Sequence, residues 1–158
     1  MRRQRGDGYE VSDDPTRLDL DTIHGFLRTA YWSPGVTRET VESSVAGSLP
    51  MGLYAPDGAQ AGYARAVTDR ATFGYLADVF VLPEYRGRGL SRFLVRALLE
   101  HPDLATLRRW MLATEDAHGV YEALGFTPLD DPDRWMVRGP RPSCQATGRP
   151  EARYPRST

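Results

Sequence analysis

The sequence contains no lysine and a single cysteine, and each shortage excludes a kind of site. All 20 basic residues are arginine, so a Walker A phosphate loop, which needs a Gly-Lys-Ser/Thr step, is excluded. Cys144 alone cannot form an intrachain disulfide, and it offers too little for a structural zinc site. We therefore expect no bound metal and, as the default for a reduced chain, a cytoplasmic location.

Long apolar runs and an excess of either charge are also missing. No stretch of about 18 apolar residues is present to span a membrane, and the basic residues 1–5 are not followed by the apolar segment of a secretion signal. The 20 basic and 21 acidic residues give a net charge of −1. Nucleic-acid and membrane-surface binders typically carry a basic excess, so neither kind of partner is expected.

The length of 158 residues predicts one domain with a sizeable core. Residues 1–8 are basic and glycine-rich, which predicts a flexible N-terminus. Residues 139–158 contain four prolines and almost no large apolar side chains, so we expect a disordered tail. The folded domain is predicted to occupy residues 9–138.

Hydrophobic periodicity predicts the element order β-α-α-β-β-β-α-β-α-β-β within that domain. Apolar residues recur at helical spacing in four segments, and Asp57-Gly58 is a strong hairpin signal between two strands. The predicted helices cover 19–31, 37–47, 89–100 and 116–124. The predicted strands cover 9–12, 49–54, 60–68, 72–82 and 109–113, with a last hairpin of 126–129 and 134–137.

The most informative segment runs from Asp78 to Ser91, where an apolar strand meets an Arg/Gly-rich turn and the start of a helix. The first N–H groups of a helix lack internal partners and carry the positive end of its dipole. Gly87 and Gly89 allow the main chain to approach a ligand closely. The arrangement predicts a nest for a phosphate or pyrophosphate, and Arg86 and Arg88 add positive charge nearby.

The segment resembles the GNAT superfamily of acyl-CoA-dependent N-acyltransferases. The pattern Val-x-Pro-x-x-Arg-Gly-x-Gly-Leu lies at 81–90. The next residue is Ser91, where the family usually has Gly or Ala. A second family signature, Tyr-Glu-x-x-Gly-Phe, lies at 121–126. The resemblance implies a mixed, mostly antiparallel sheet flanked by helices and splayed between the strands at 72–82 and 109–113, with acetyl-CoA in the opening. It places the pyrophosphate on Arg86, Gly87, Arg88, Gly89, Leu90 and Ser91, and main-chain contacts to the pantetheine arm on Phe80 and Val81.

The same resemblance suggests how the acyl group could be transferred. Tyr121 matches the family tyrosine near the thioester sulfur, and a phenol is protonated at neutral pH, so it can act as a general acid. The alternative is a tyrosine packed between helix and sheet. Asp116 stands where many family members have an Asn that binds the pantetheine chain, and an N-cap role is its alternative.

The general base could be one of four residues. Asp78 places a carboxylate on an otherwise apolar strand, which calls for a partner or a function. His118 has an intrinsic pKa near neutrality and lies three residues before Tyr121 on the predicted helix. Glu84 and Glu115 are further candidates. Ion pairing for Asp78 and simple solvation for His118 are the alternatives.

Tyr31 and Trp32, between the first two predicted helices, are candidate substrate-binding residues because aromatic side chains on a loop suit recognition. Core packing is the alternative for both. The sequence thus suggests an acetyl-CoA-dependent N-acetyltransferase acting on the primary amine of a small molecule. A protein or peptide acetyltransferase and a catalytically silent CoA-binding module are the competing interpretations. Nothing in the sequence decides the oligomeric state, and a homodimer is compatible with it.

Overall fold

A computed structural model of the protein describes residues 1–138, which contain six strands and four α-helices. All of these elements lie in one compact unit, residues 1–127; the described residues 128–138 belong to a second unit. Within 1–138 no helix has the length and apolar character needed to cross a bilayer. The strands are β1 (Arg2–Gln4), β2 (Glu10–Ser12), β3 (Leu49–Tyr54), β4 (Gln60–Thr68), β5 (Phe73–Val81) and β6 (Arg109–Met111). The helices are α1 (Leu20–Leu27), α2 (Arg38–Ala46), α3 (Leu90–Leu99) and α4 (His118–Glu122).

The strands form one sheet in the order β1-β2-β3-β4-β5-β6. Four of the five pairings are antiparallel, and β5 and β6 pair in parallel across the connection that contains α3. This is the mixed, mostly antiparallel sheet flanked by helices that the sequence predicted, and that prediction is confirmed.

Helices cover both faces of the sheet. Successive residues of a strand point to opposite faces, so neighbouring residues of β4 contact different helices. Ala64 of β4 belongs to a core cluster that includes Leu94 and Leu98 of α3. Its neighbour Tyr63 belongs to a second cluster, with Ile23 of α1 and Val41 of α2. The sheet is therefore buried on both faces, and its edges and strand ends remain as the places for a site.

The N-terminus is ordered, which corrects the expectation of a flexible segment at residues 1–8. Arg2–Gln4 pair with β2 in antiparallel register, from Arg2 opposite Ser12 to Gln4 opposite Glu10. The Arg2 side chain also donates a hydrogen bond to Glu10 at 2.5 Å. The expectation came from the basic, glycine-rich composition of residues 1–8, which carries no sign of the pairing with β2.

The predicted hairpin of 126–129 and 134–137 is wrong, because no residue from 126 to 138 is in a strand. The only regular piece here is a 3-10 turn at Pro132–Arg134. Pro128 and Pro132 explain the difference, since proline has no N–H to give to a strand ladder. The predicted tail, 139–158, lies outside the described residues.

All four helices are shorter than predicted, and helices α1 and α4 and strand β6 are shortened next to the site described below. Helix α1 ends at Leu27 because the following chain caps it: Ser33 Oγ donates to the Leu27 carbonyl at 2.8 Å, and Gly35 N–H donates to the Arg28 carbonyl at 2.9 Å. Strand β6 ends at Met111, and α4 covers only His118–Glu122. The chain segments released by these earlier ends, residues 28–37 and 112–117, both border the site described below.

Candidate active site

The turn between β5 and α3 has the main-chain conformation of an anion nest. After a 3-10 turn at Pro83–Tyr85, Gly87 and Gly89 adopt φ of 75° and 70°, in the left-handed region. A Cβ at Gly87 would meet no atom within 4 Å, and one at Gly89 would meet only Arg5 Nη1 at 4.0 Å. The main chain of both glycines therefore borders open space into which a ligand can come.

Helix α3 begins directly behind this turn. Leu90, its first residue, is buried in the core, so the start of the helix is held in place. Its N-cap is Gly89, which has no side chain to accept the first N–H groups. Those N–H groups and the positive end of the helix dipole are left for an anion. Arg86 is anchored through Nε to the Val81 carbonyl at 3.0 Å, while Arg88 is exposed. The turn thus fits the pyrophosphate of CoA.

An N-terminal arginine holds the turn from behind. Arg5 Nη1 donates to the Arg88 carbonyl at 2.9 Å, and its guanidinium is fixed by two hydrogen bonds to Asp7. It also lies over the ring of Phe93 on α3, at 5.7 Å from the centroid. Because a trans peptide points its C=O and N–H in opposite directions, holding the Arg88 carbonyl turns the Gly89 N–H away from Arg5. Sequence inspection missed this residue, since the contact spans 83 positions.

Strands β5 and β6 diverge after a short paired stretch. Their register joins Phe73 to Arg109 and Tyr75 to Met111, and no described residue of β5 beyond Tyr75 has a partner on β6. Strand β5 nevertheless continues to Val81, paired on its other edge with β4. The opening between the two strands is the splay expected from the family resemblance.

A β-bulge lies in β5 beside this opening. The register pairs Tyr63 with Phe80 and Arg65 with Ala77, so Asp78 and Val79 together face a single residue of β4. Asp78 adopts φ of 53°, a conformation that is uncommon for a residue with a side chain. Bulges of this kind interrupt the ladder and redirect a side chain, and they are frequent beside active sites.

A cleft of about 490 Å³ occupies the opening and is bordered by three parts of the chain. Strands β4 and β5 form its floor, the loop after β6 forms one wall, and the linker between α1 and α2, residues 28–37, covers it. The lining residues are Tyr31, Trp32, Arg65, Tyr75, Leu76, Ala77, Asp78, Val79, Ala113, Thr114, Glu115, Asp116, Ala117 and Tyr121.

The linker is tied to both sides of the cleft by its two aromatic side chains. The Tyr31 hydroxyl accepts a hydrogen bond from the Glu115 main-chain N–H at 3.1 Å, on the wall after β6. Trp32 Nε1 donates to Asp78 Oδ1 at 3.2 Å, on the floor. The two rings meet edge to face, with centroids 4.9 Å apart. Both residues are about half exposed, at 48% and 41%, so they cover the cleft and do not fill the core.

Asp78 is the best-anchored acid of the cleft. Besides the bond from Trp32, its Oδ2 accepts from Arg65 Nε at 2.6 Å, and the two side chains are only 12% and 18% exposed. The ion pair expected as the alternative reading of Asp78 is therefore present. It does not remove the carboxylate from the cleft, because each carboxylate oxygen can accept more than one hydrogen bond.

Tyr121 also lines the cleft, at the end that faces the loop after β6. Burial, followed by the proximity of Tyr31 and Asp116, raises the pKa of its hydroxyl to about 12. The ring meets Phe126 edge to face at 6.0 Å. The hydroxyl is thus a protonated donor throughout the physiological pH range.

The remaining predicted residues are distributed unevenly around the cleft. Asp116 lines it, but it does not cap α4: the N–H of Ala117 is accepted by Thr114 Oγ1 at 3.1 Å, and the N-cap alternative is wrong. His118 is exposed and is not among the lining residues. Glu84 lies on the 3-10 turn before the anion nest, away from the cleft lining.

Phe80 and Val81 bring the cleft and the nest together along β5. Both side chains are buried, and the Phe80 ring stacks on Phe26 of α1 with a centroid distance of 4.0 Å. Their side chains are therefore not available to a ligand, and a contact to the pantetheine arm through their main chain stays a prediction. Arg65 was not predicted, although a charged residue inside the apolar run of β4 was a signal that could have found it.

Comparison with known proteins decides the family. Residues 19–126 match the sequence profile of the "Acetyltransferase (GNAT) family". This chain is a GNAT acetyltransferase. As a member of that family it is an acetyl-CoA-dependent enzyme, and the open main chain at Gly87 and Gly89 fits that donor.

Individual relatives of this GNAT protein agree with the assignment. A Gibberella zeae protein that carries the name of an acetyltransferase is 33% identical over 132 residues, 71% of this chain and 74% of the relative. A crystal structure of a GNAT-family protein from Xanthomonas campestris is 45% identical, with a TM-score of 0.80 over 83% of this chain and 92% of that one. An aminoglycoside N-acetyltransferase in complex with CoA shares the fold at 20% identity, with a TM-score of 0.64 over 87% of this chain and 97% of that one.

Proposed function

We propose that the protein transfers the acetyl group of acetyl-CoA directly to the primary amine of a small molecule. The observation that carries this proposal is the single cleft in which Tyr121, Asp78 and the end of the splay meet, beside a nest suited to pyrophosphate. A protein that shares the fold has been crystallised in complex with CoA, which supports acetyl-CoA as the donor. Acetyl-CoA supplies a thioester whose carbonyl carbon accepts the amine nitrogen and whose sulfur leaves as a thiolate.

In this proposal some residues of the chain bind acetyl-CoA and others transfer protons. The nest at 86–91 holds the pyrophosphate, and the main chain of Phe80 and Val81 guides the pantetheine arm toward the cleft. Tyr121 donates a proton to the leaving thiolate, and its raised pKa keeps the hydroxyl protonated until that step. Asp78 binds the substrate ammonium and takes the proton that the amine loses, directly or through a water molecule.

A small acceptor is favoured over a protein because the linker closes the cleft. Tyr31 and Trp32 fasten residues 28–37 to Glu115 on one side and to Asp78 on the other. An extended polypeptide would need an open groove at this place. The non-enzymatic alternative is a catalytically silent CoA-binding module. The presence of Tyr121 in the cleft argues against it.

The proposal is tested by measuring CoA release from acetyl-CoA with a panel of small primary amines, with mass spectrometry of the products. Tyr121→Phe keeps the ring and removes the proton; we expect unchanged acetyl-CoA binding by calorimetry and a loss of kcat of roughly 10²-fold or more. His118→Ala is the matched control on the same helix and is expected to retain its rate. Binding of acetyl-CoA without turnover of any amine would favour the silent module.

A further inference from the structure

Arg65 is held in the floor of the cleft with most of its hydrogen-bonding capacity unused. A guanidinium has five N–H donors. Only Nε is engaged, by Asp78 at 2.6 Å, and within residues 1–138 neither Nη1 nor Nη2 has a hydrogen-bond partner. The side chain is 18% exposed and lines the cleft. The four N–H donors of Nη1 and Nη2 therefore have no acceptor among the described residues and are available to a ligand in the cleft.

A second unpaired group lies beside Arg65. The hydroxyl of Tyr63, two residues earlier on the same face of β4, is buried and has no hydrogen-bond partner in the described part of the chain. Burial raises the pKa of this hydroxyl, and Arg65 and Asp78 are the charged groups that act on it, so it lies next to the pair. An unpaired polar group inside a protein is costly, so the part of β4 that carries Arg65 also holds a buried hydroxyl that the described residues leave without a partner.

We infer that the amine acceptor also carries a carboxylate, which binds the free Nη groups of Arg65. The inference rests on the function proposed above and specifies the acceptor as an amino carboxylate. A guanidinium fork matches a carboxylate with two parallel hydrogen bonds, and such charge-assisted bonds are among the strongest in proteins. Of the described residues that line the cleft, Arg65 is the only one with a basic side chain, so it is the one group there that can bind an anion by charge.

The rest of the cleft complements a zwitterion. Glu115 and Asp116 also line the cleft, on the loop after β6, and add negative charge that can attract an ammonium group. Asp78 lies between, already oriented by Arg65 and Trp32. An amino carboxylate can use both kinds of charge, whereas a simple amine would leave the Nη donors of Arg65 without an acceptor from the substrate.

The experiment compares each of a set of α- and ω-amino acids with its own amide, using CoA release at fixed acetyl-CoA. Chain length is varied because it sets the span between the amine and the carboxylate. We expect at least one amino acid to be acetylated with a kcat/KM roughly tenfold to a hundredfold above that of its amide. An aminophosphonate of the same length is included, and its preference over the amino acid would overturn the assignment to carboxylates.

Three variants test whether Arg65 is the residue that distinguishes an amino acid from its amide. Arg65→Gln removes the charge and is expected to bring the amino acid down to the rate of its amide, while Arg65→Lys keeps the charge without the fork and should retain part of the preference. Asp78→Asn, in contrast, should slow an amino acid and its amide by the same factor. Calorimetric binding of acetyl-CoA to every variant shows that the fold and the donor site are kept.

The outcomes separate this inference from the function on which it rests. Turnover of amines with equal kcat/KM for acids and amides in the wild type would overturn the role of Arg65 and leave the acetyltransferase intact. A preference for acids that survives in Arg65→Gln would overturn it as well. Absence of turnover with every amine, despite binding of acetyl-CoA, would instead contradict the proposed function.

Discussion

Replacing Gly89 by alanine should separate the ligand role of the turn from its role in folding. Gly89 has φ of 70°, and a Cβ there would touch nothing closer than Arg5 Nη1 at 4.0 Å. The folded protein therefore has room for the methyl group, and the cost is the left-handed conformation alone, about 1–2 kcal/mol. For a domain of this size, that corresponds to a Tm lower by roughly 2–8 °C.

Binding of acetyl-CoA should suffer more than stability. The added methyl group stands where the main chain would approach the pyrophosphate, so we expect at least one charge-assisted hydrogen bond to be lost, worth about 1.5–3 kcal/mol. The dissociation constant should then rise by roughly tenfold to a hundredfold. Isothermal titration calorimetry of Gly89→Ala beside the wild type measures this change directly.

Gly58 provides a matched control in the β3–β4 hairpin. Its φ is 87°, a Cβ there would meet no atom within 4 Å, and it belongs neither to the turn at 86–91 nor to the cleft lining. Gly58→Ala should lower Tm as much as Gly89→Ala and leave the affinity for acetyl-CoA unchanged. Acetyl-CoA at 100 times its dissociation constant should stabilise this control by about 2.7 kcal/mol, as in the wild type. Equal affinities for the two variants would refute the placement of the pyrophosphate at the turn.

Three further predictions follow from individual contacts. Because burial raises the pKa of Tyr121 to about 12, the hydroxyl begins to lose its proton only as the pH approaches that value, and the pH profile of kcat should show no alkaline loss due to this group near neutral pH. Arg5→Ala, which frees the Arg88 carbonyl, should raise KM for acetyl-CoA with little change in kcat; Arg3→Ala, which breaks an ion pair to Glu100 at 2.6 Å, should change neither. Tyr31→Phe removes the acceptor of the Glu115 N–H and should raise KM for the amine roughly two- to tenfold, and an unchanged KM would show that the linker does not position the acceptor.

The turn at 86–91 could be predicted from the sequence because its conformation depends on residues that are neighbours in the chain. Positive φ at Gly87 and Gly89 and the start of α3 at Leu90 are properties of consecutive residues, so a motif of about ten residues contains the information. The paired core strands were predictable for a similar reason, since alternation and the Asp57-Gly58 turn specify β3 and β4. These parts need no knowledge of which segments meet in space.

Errors arose where a segment depends on a distant partner. Strand β1 exists because β2 receives it, and composition at 1–8 carries no sign of that pairing. The segment 126–137 has strand-like apolar residues, but Pro128 and Pro132 interrupt the donors that a ladder needs. His118 is close to Tyr121 in sequence, yet the short α4 leaves it exposed and outside the cleft lining.

The proposed acceptor side of the cleft combines residues that are far apart in the sequence. Its central residue, Asp78, has a strained main-chain conformation that contacts from other elements hold in place. Asp78 adopts the left-handed region without being glycine, which costs free energy that the surrounding structure must supply. Two partners from different elements hold it there, Arg65 of β4 and Trp32 of the linker. An ion pair kept only for stability would not need a bulged strand, because an extended β5 could carry the carboxylate without strain. Under the function proposed above, the bulge has a purpose: it places the Asp78 carboxylate in the cleft lining, beside Arg65 and Trp32.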